Sequence, residues 1–190
     1  RTASGWGVGS LRAMESSAFD YELPDAAIAQ HPAEPRDSSR LLIDGDPVAH
    51  GRTRDLPRLL REGDVLVLND TKVLPARLRL AKPTGGAVEV LALEPTGDGW
   101  WEALVRPSRR VPVGTELVDH IGLPVLEVGE PTGEGTRLVR PIGPPMEQIL
   151  AHLGAVPLPP YITAPLDEPG RYQTVYADRA SSVAAPTAGL

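Results

Sequence analysis

Cysteine is absent from the 190-residue chain. That excludes a disulfide scaffold, a thiolate nucleophile, a thiolate zinc site and an iron–sulfur cluster. No apolar run approaches the about 18 residues a membrane helix needs, and Arg1 to Ser17 holds no apolar stretch that would serve as a signal peptide. A soluble, cytoplasmic protein is therefore expected. Gly-rich phosphate loops, a GxSxG elbow and paired histidines at metal spacing are also missing, and His31, His50, His120 and His152 are scattered. Metal chemistry is not expected on that pattern. The 19 glycines and 21 prolines stay below the roughly 25–30% typical of low-complexity chains, so the chain should fold, with many turns and little long helix.

Charge is what the chain has, and it is uneven. The net charge is −6, yet Arg36, Arg40, Arg52, Arg54, Arg58 and Arg61 crowd one stretch, while Val111 to Thr136 carries Glu116, Asp119, Glu127, Glu130 and Glu134 with no Lys or Arg. A local basic face on an acidic protein is one reading, and a solvated surface rich in arginine is the other.

The hydrophobic pattern divides the chain. Residues 1–15, rich in Gly and Ser, read as a tag or flexible extension, with Met14 a natural start. In residues 16–75, Pro24 opens a short helix through Ala29, and Leu41 to Ile43 and Val48 to His50 flank the turn Asp44 to Pro47 as a hairpin. Asp55 to Arg61 is a short helix closed by Gly63, and Asp64 to Leu68, apolar on both faces, reads as a fully buried strand. From 76 to 156 the rhythm changes to six short runs: Arg77 to Leu80, Val88 to Leu93, Trp100 to Val105, Thr115 to Val118, Val125 to Val128 and Arg137 to Pro141. Gly-containing turns separate them. This spacing predicts an inserted, small antiparallel β-barrel with Leu78, Val88, Val90, Leu104, Val125 and Leu138 inward and the rings of Trp100 and Trp101 on opposite faces. Pro145 to Leu153 is a helix ended by Gly154, and Pro157 to Pro160 an extended connector into the return segment 157–190. The expected organisation is a mixed α/β frame interrupted by an inserted small antiparallel β-barrel.

Three polar clusters stand out. Arg36-Asp37-Ser38-Ser39-Arg40 packs two guanidinium forks, a carboxylate and two hydroxyls before a strand, a composition suited to phosphate or carboxylate ligands or to a solvated turn capped by Asp37. Asn69-Asp70-Thr71 follows the expected buried strand, where ligands gather in α/β proteins, and equally suits a cap or turn. Tyr161, Tyr172 and Tyr176 lie near Arg171 and Gln173, a set able to stack and pair a nucleobase; Tyr172 and Tyr176, four apart, also fit one helical core face.

Taken together, FDYELP (Phe19 to Pro24), IAQHPAEPRDSSRLL (Ile28 to Leu42), LNDTKVLPARL (Leu68 to Leu78), GGAVEVL (Gly85 to Leu91), LPPYI (Leu158 to Ile162), RYQTVYA (Arg171 to Ala177) and SVAAPTAGL (Ser182 to Leu190) resemble, in order, the S-adenosylmethionine:tRNA ribosyltransferase-isomerases of queuosine biosynthesis. The resemblance runs from Ser16 to Leu190, covers about the N-terminal half of a family member, and implies an α/β (mixed) domain, incomplete in this chain, with an inserted small antiparallel β-barrel. It implies transfer of the ribosyl moiety of S-adenosylmethionine to 7-aminomethyl-7-deazaguanine at a tRNA wobble position, giving epoxyqueuosine and releasing adenine and methionine. Implied partners are tRNA and S-adenosylmethionine as co-substrate, with no metal or redox cofactor; no membrane association is expected, and the oligomeric state is left open with a monomer favoured. A sulfonium already acidifies the neighbouring C5′, so the protein must supply a base, orientation and a dry site.

On that view Asp70 or Asp37 holds or deprotonates the amine. Arg36, Arg40 and Arg77 contact phosphate or the methionine carboxylate, and Tyr161, Tyr172 and Gln173 recognise the base. Asn69, Thr71, Arg171 and Thr187 complete the substrate-binding set by their place in the motifs. Lys72 stands where the family usually has Arg, which keeps charge and loses a bidentate fork. Two other classes share parts of this pattern: a non-catalytic RNA-binding barrel module, and an S-adenosylmethionine-using enzyme with a small-molecule acceptor.

Overall fold

The computed structural model describes residues 15–133 and 135–190; the expected extension at 1–15, Met14 included, falls outside them apart from Glu15, as does Glu134. Alternating apolar residues build the centre. Strands β4 (Arg77–Ala81), β5 (Ala87–Gly97), β6 (Trp100–Arg106), β7 (Thr115–Val118), β8 (Pro124–Pro131) and β9 (Thr136–Pro141) close into an antiparallel barrel in the order β4-β5-β6-β9-β8-β7, shut by Ala81 against Val118. Leu78, Val88, Val90 and Val125 point inward and are buried. Trp101 packs on this core, whereas Trp100 lies outside over Gly129, with the Arg140 guanidinium 4.8 Å from its ring.

Leu104 and Leu138 do not point inward as expected. On β6 the inward positions are Ala103 and Val105, and on β9 they are Arg137 and Val139. Leu138 lies beside Gly129, as does Trp100, and Leu104 faces Leu91 across the outer side of the sheet. Arg137, 4% exposed, takes the interior place because its guanidinium finds main-chain acceptors there: Nε and Nη2 donate to Gly129 O at 3.2 and 2.7 Å, and Nη1 to Ser108 O at 3.1 Å and to Val111 O. Gly129 sits in the β8 bulge between the pairs Val128↔Val139 and Pro131↔Arg137, where the ladder leaves main-chain groups over. A buried charge is tolerated when its donors are used, as here.

Helix α2 (Met146–Leu153) covers one end of the barrel with Met146, Ile149 and Leu150. Gly154 ends it, but not by a left-handed turn, for its φ is −76°. A β-carbon there would lie 1.9 Å from Pro75 O and 2.3 Å from Leu150 O, so glycine is required by close approach of two main chains. The next residue exchanges main-chain bonds with Arg77 at 3.0 and 2.8 Å, tying α2 to the start of β4. Gly154→Ala is expected to cost about 2 kcal/mol, within the usual overpacking range, and to lower the thermal midpoint by about 4–8 °C. A midpoint unchanged within 1 °C would show that the junction yields freely.

Outside the barrel the elements are small. Strands β1 (Arg40–Ile43) and β2 (Ala49–Arg52) form the expected hairpin, with Arg40 opposite Arg52. Helix α1 is confined to Leu56–Leu59, and the turn after Pro24 is a single 3₁₀ turn, Asp25–Ala27. The run Asp64 to Leu68 is not the expected buried strand: it has no ladder partner among the described residues, and Val65 and Val67 are 87% and 86% exposed. Continuous apolarity marks a demand for cover on two faces, and no described segment lies alongside to supply it. Strand β3 (Thr71–Val73) instead pairs in parallel with β10 (Arg179–Ser182), bringing together the segments on either side of the barrel in sequence.

Candidate functional site

Two arginines hold the turns flanking the site, each reaching into the other's loop. Pro35 presets the entry to the 3₁₀ turn Arg36–Ser38, from which Arg36 donates to Gln173 O at 2.6 Å, Arg171 O at 3.3 Å and Gly170 O at 3.4 Å. In return Arg171 donates to Ala33 O at 2.8 Å and pairs with Glu34 at 2.7 Å. The Gln173 side chain behaves like a strand edge, accepting from Val73 N at 2.8 Å and donating to Val73 O at 3.0 Å. Segments 33–39, 71–73 and 170–173 are thereby one unit. Between the two arginine contacts Tyr172 is buried. Burial raises its hydroxyl pKa above the ordinary value, the neighbouring Tyr161 adds to this, and Arg77 opposes it.

A second meeting point lies at the start of β3. Asn69 Oδ1 accepts from Thr71 N at 3.0 Å and Thr71 Oγ1 at 2.7 Å, an Asx turn that presents Asp70. The Asp70 carboxylate receives Arg179 on both oxygens at 2.9 Å, and its carbonyl accepts from Asp178 N and Arg179 N. Bidentate geometry orients this carboxylate more tightly than an ordinary surface pair.

The turns around Arg36 and Arg171 border a cleft of about 510 Å³, a volume in the range of small-molecule sites. Pro32, Leu158, Ile162 and Leu166 supply apolar wall, and Glu34, Asp167 and Glu168 set carboxylates against Arg36 and Arg171. Of the substrate-site candidates read from sequence, Arg36, Arg171 and Tyr172 line it, together with Ser39 of the Arg36 cluster. The others stand elsewhere. Asp37 faces outward toward Arg54 at 3.5 Å, Arg40 is exposed at the head of β1, and Asn69, Asp70 and Thr71 form the second meeting point. Arg77 donates to Leu158 O at 3.3 Å with Nε 3.8 Å from Glu89, Tyr161 is 54% exposed, Gln173 is spent on Val73, and Thr187 is exposed at the head of the 3₁₀ turn Thr187–Gly189. Tyr172 and Tyr176 are not on a helix: the former ends the 3₁₀ turn Pro169–Tyr172 and the latter lies in the following turn.

Gln30 was missed by the sequence reading, although it lies in the motif around Arg36. Its Oε1 accepts from Thr163 N at 2.8 Å and Ala164 N at 3.2 Å and its Nε2 donates to Tyr161 O at 3.0 Å, so one amide pins the 161–164 wall of the cleft. Among the described residues no group of three His, Asp or Glu side chains is placed to hold a metal ion, and no helix is long and apolar enough to cross a membrane.

The family model described as queuosine biosynthesis protein matches residues 16–190. A relative from Thermus thermophilus, named S-adenosylmethionine:tRNA ribosyltransferase-isomerase, is 51% identical over 187 residues, covering 91% of this chain and 53% of its own length. Relatives of the same name from Moorella thermoacetica and Thermotoga petrophila are 50% and 46% identical, each over 93% of this chain and 54% and 53% of theirs. The crystal structure of an S-adenosylmethionine tRNA ribosyltransferase from Thermotoga maritima is 38% identical, with a TM-score of 0.34 over 72% of this chain and 48% of that one. The chain spans about half the length of the curated relatives it matches.

Proposed function

From its membership of the queuosine biosynthesis protein family, to which this chain belongs, we propose that it forms the first half of an S-adenosylmethionine:tRNA ribosyltransferase-isomerase. The reaction moves the ribosyl moiety of S-adenosylmethionine onto the aminomethyl group of 7-aminomethyl-7-deazaguanine at a tRNA wobble position, with loss of adenine and methionine. The observation that carries this reading is the convergence of motifs about 130 residues apart, Arg36 with Gln173 and Gln30 with Thr163, at one cleft of nucleoside-compatible size.

The lining fits a cationic nucleoside. Glu34, Asp167 and Glu168 face a sulfonium favourably, while Arg36 and Arg171 already give donors to main-chain carbonyls and act as struts. Tyr172 offers a buried aromatic body for the base, with Tyr161 close by. Asp70 serves as holder or base for the incoming amine, oriented by Arg179. Asp37 is the alternative carboxylate. Exposed Arg40, Arg58 and Arg61 suit tRNA phosphates. The barrel is taken as an insert over 76–156, and the protein works as a soluble cytoplasmic monomer.

The test is adenine release by the protein extended to its relatives' length, given S-adenosylmethionine and tRNA carrying the deazaguanine. Release that requires both is expected. Release without tRNA would replace this reading by a small-molecule acceptor, and salt-dependent tRNA binding with no adenine formed would leave a binding module.

A further inference from the structure

We propose that the outer wall of β4, β5 and β6, together with the turn Ser108–Arg110, is a second contact for the RNA sugar–phosphate backbone; this rests on the tRNA reading above. With Leu78, Leu80, Val88, Val90 and Val105 inward, alternation sends Arg79, Glu89 and Arg106 outward. Register sets them in one row, Arg79 opposite Glu89 and Glu89 opposite Arg106, at strand spacings of about 4.8 Å. The single carboxylate of the row is drawn aside, its Oε1 lying 3.8 Å from Arg77 Nε. Arg79 and Arg106 form no ion pair among the described residues.

The turn that follows β6 lies at the same end of the barrel and is held from two sides. From within the barrel, buried Arg137 takes Ser108 O and Val111 O; from outside, Lys82 Nζ donates to Arg110 O at 3.4 Å. A short 3₁₀ turn is thus fixed while Arg109 and Arg110 stay exposed, without ion pairs among the described residues. Glu94 and Glu102 stand opposite each other further along β5 and β6, β7 carries Glu116, and Glu127 of β8 is paired with Arg140, so the arginines collect at one end of the wall within a chain of net charge −6. Exposed guanidinium forks bind phosphate oxygens without reading sequence. Folded RNA presents those oxygens at closely spaced intervals.

The experiment measures binding of an unmodified tRNA transcript to this chain across a salt series. R109A/R110A is expected to weaken binding about tenfold and to reduce the slope of log K against log salt by about 2, one phosphate contact per arginine. R109K/R110K should keep most of the slope, since a point charge suffices for counterion release, and the melting temperature should not move because both side chains are exposed. Wild-type binding with an unchanged slope in R109A/R110A would remove the barrel wall from the interface and leave the tRNA reading intact. Absence of salt-dependent tRNA binding by the parent chain while the extended protein still releases adenine with tRNA would overturn the wall contact alone, and absence of both would overturn the reading it rests on. Binding of a polyglutamate peptide of similar charge as tightly as tRNA would reassign the wall to an acidic protein.

Discussion

Asp70→Asn is expected to slow adenine release at least about a hundredfold, the low end of what general acid–base groups contribute. The substitution keeps the side chain's size and leaves the main-chain carbonyl that accepts from Asp178 N and Arg179 N, so the parallel pairing of β3 with β10 should persist. What it removes is the negative charge that Arg179 orients through both oxygens. An exposed ion pair contributes at most about 1 kcal/mol to stability, so a loss of rate with an unmoved unfolding midpoint separates a role in the reaction from one in holding the strands. The measurement is kcat for adenine release in the extended protein beside Arg179→Lys, which retains the charge but not the fork. Near-normal turnover by Asp70→Asn would return the carboxylate to turn chemistry.

Arg137→Met should lower the stability of the barrel by about 4 kcal/mol. Methionine replaces much of the aliphatic stem, but Gly129 O and Val111 O lose their donors, and each hydrogen bond to a charged group in such a place contributes about 1.5–3 kcal/mol. Ser108 O suffers less because it also accepts from Val111 N at 3.2 Å. The expected fall in thermal midpoint is about 8–16 °C, followed through Trp101, whose indole packs on the core. Urea unfolding should show the same loss through an unchanged slope and a lower midpoint. A shift below about 1 kcal/mol would mean that water replaces the guanidinium at the β8 bulge. The same substitution should loosen the Ser108–Arg110 turn and with it the salt-dependent RNA contact.

The six barrel strands were legible in the sequence because their evidence is local. An alternation with period two and glycines at Gly97, Gly99, Gly114 and Gly122, all with positive φ, belong to a few consecutive residues each. The hairpin of β1 and β2 was legible for the same reason, and the motifs around Arg36, Asp70 and Tyr172 were visible as compositions. Which alternating face turns inward was a different matter. On β9 hydropathy favours Leu138 over Arg137, and the choice went the other way because the β8 bulge and the 108–111 turn offered carbonyls that only a guanidinium could satisfy together.

Likewise the apolar run Val65 to Leu68 carries the composition of a buried strand without any instruction about what should lie against it, and among the described residues it stays exposed. Arg36 read as an anion ligand on composition, yet its fork is engaged by carbonyls 134 to 137 positions away. Gln30, an unremarkable amide in sequence, and Gln173, read there as a partner for the base, instead close the frame of the cleft. The sequence by itself determined the barrel strands, their turns, the β1–β2 hairpin and the family, since these depend on neighbours along the chain. Tertiary structure decided the partners of each polar side chain, since a donor's worth depends on which acceptor the fold brings within about 3 Å and on how far water is kept from both.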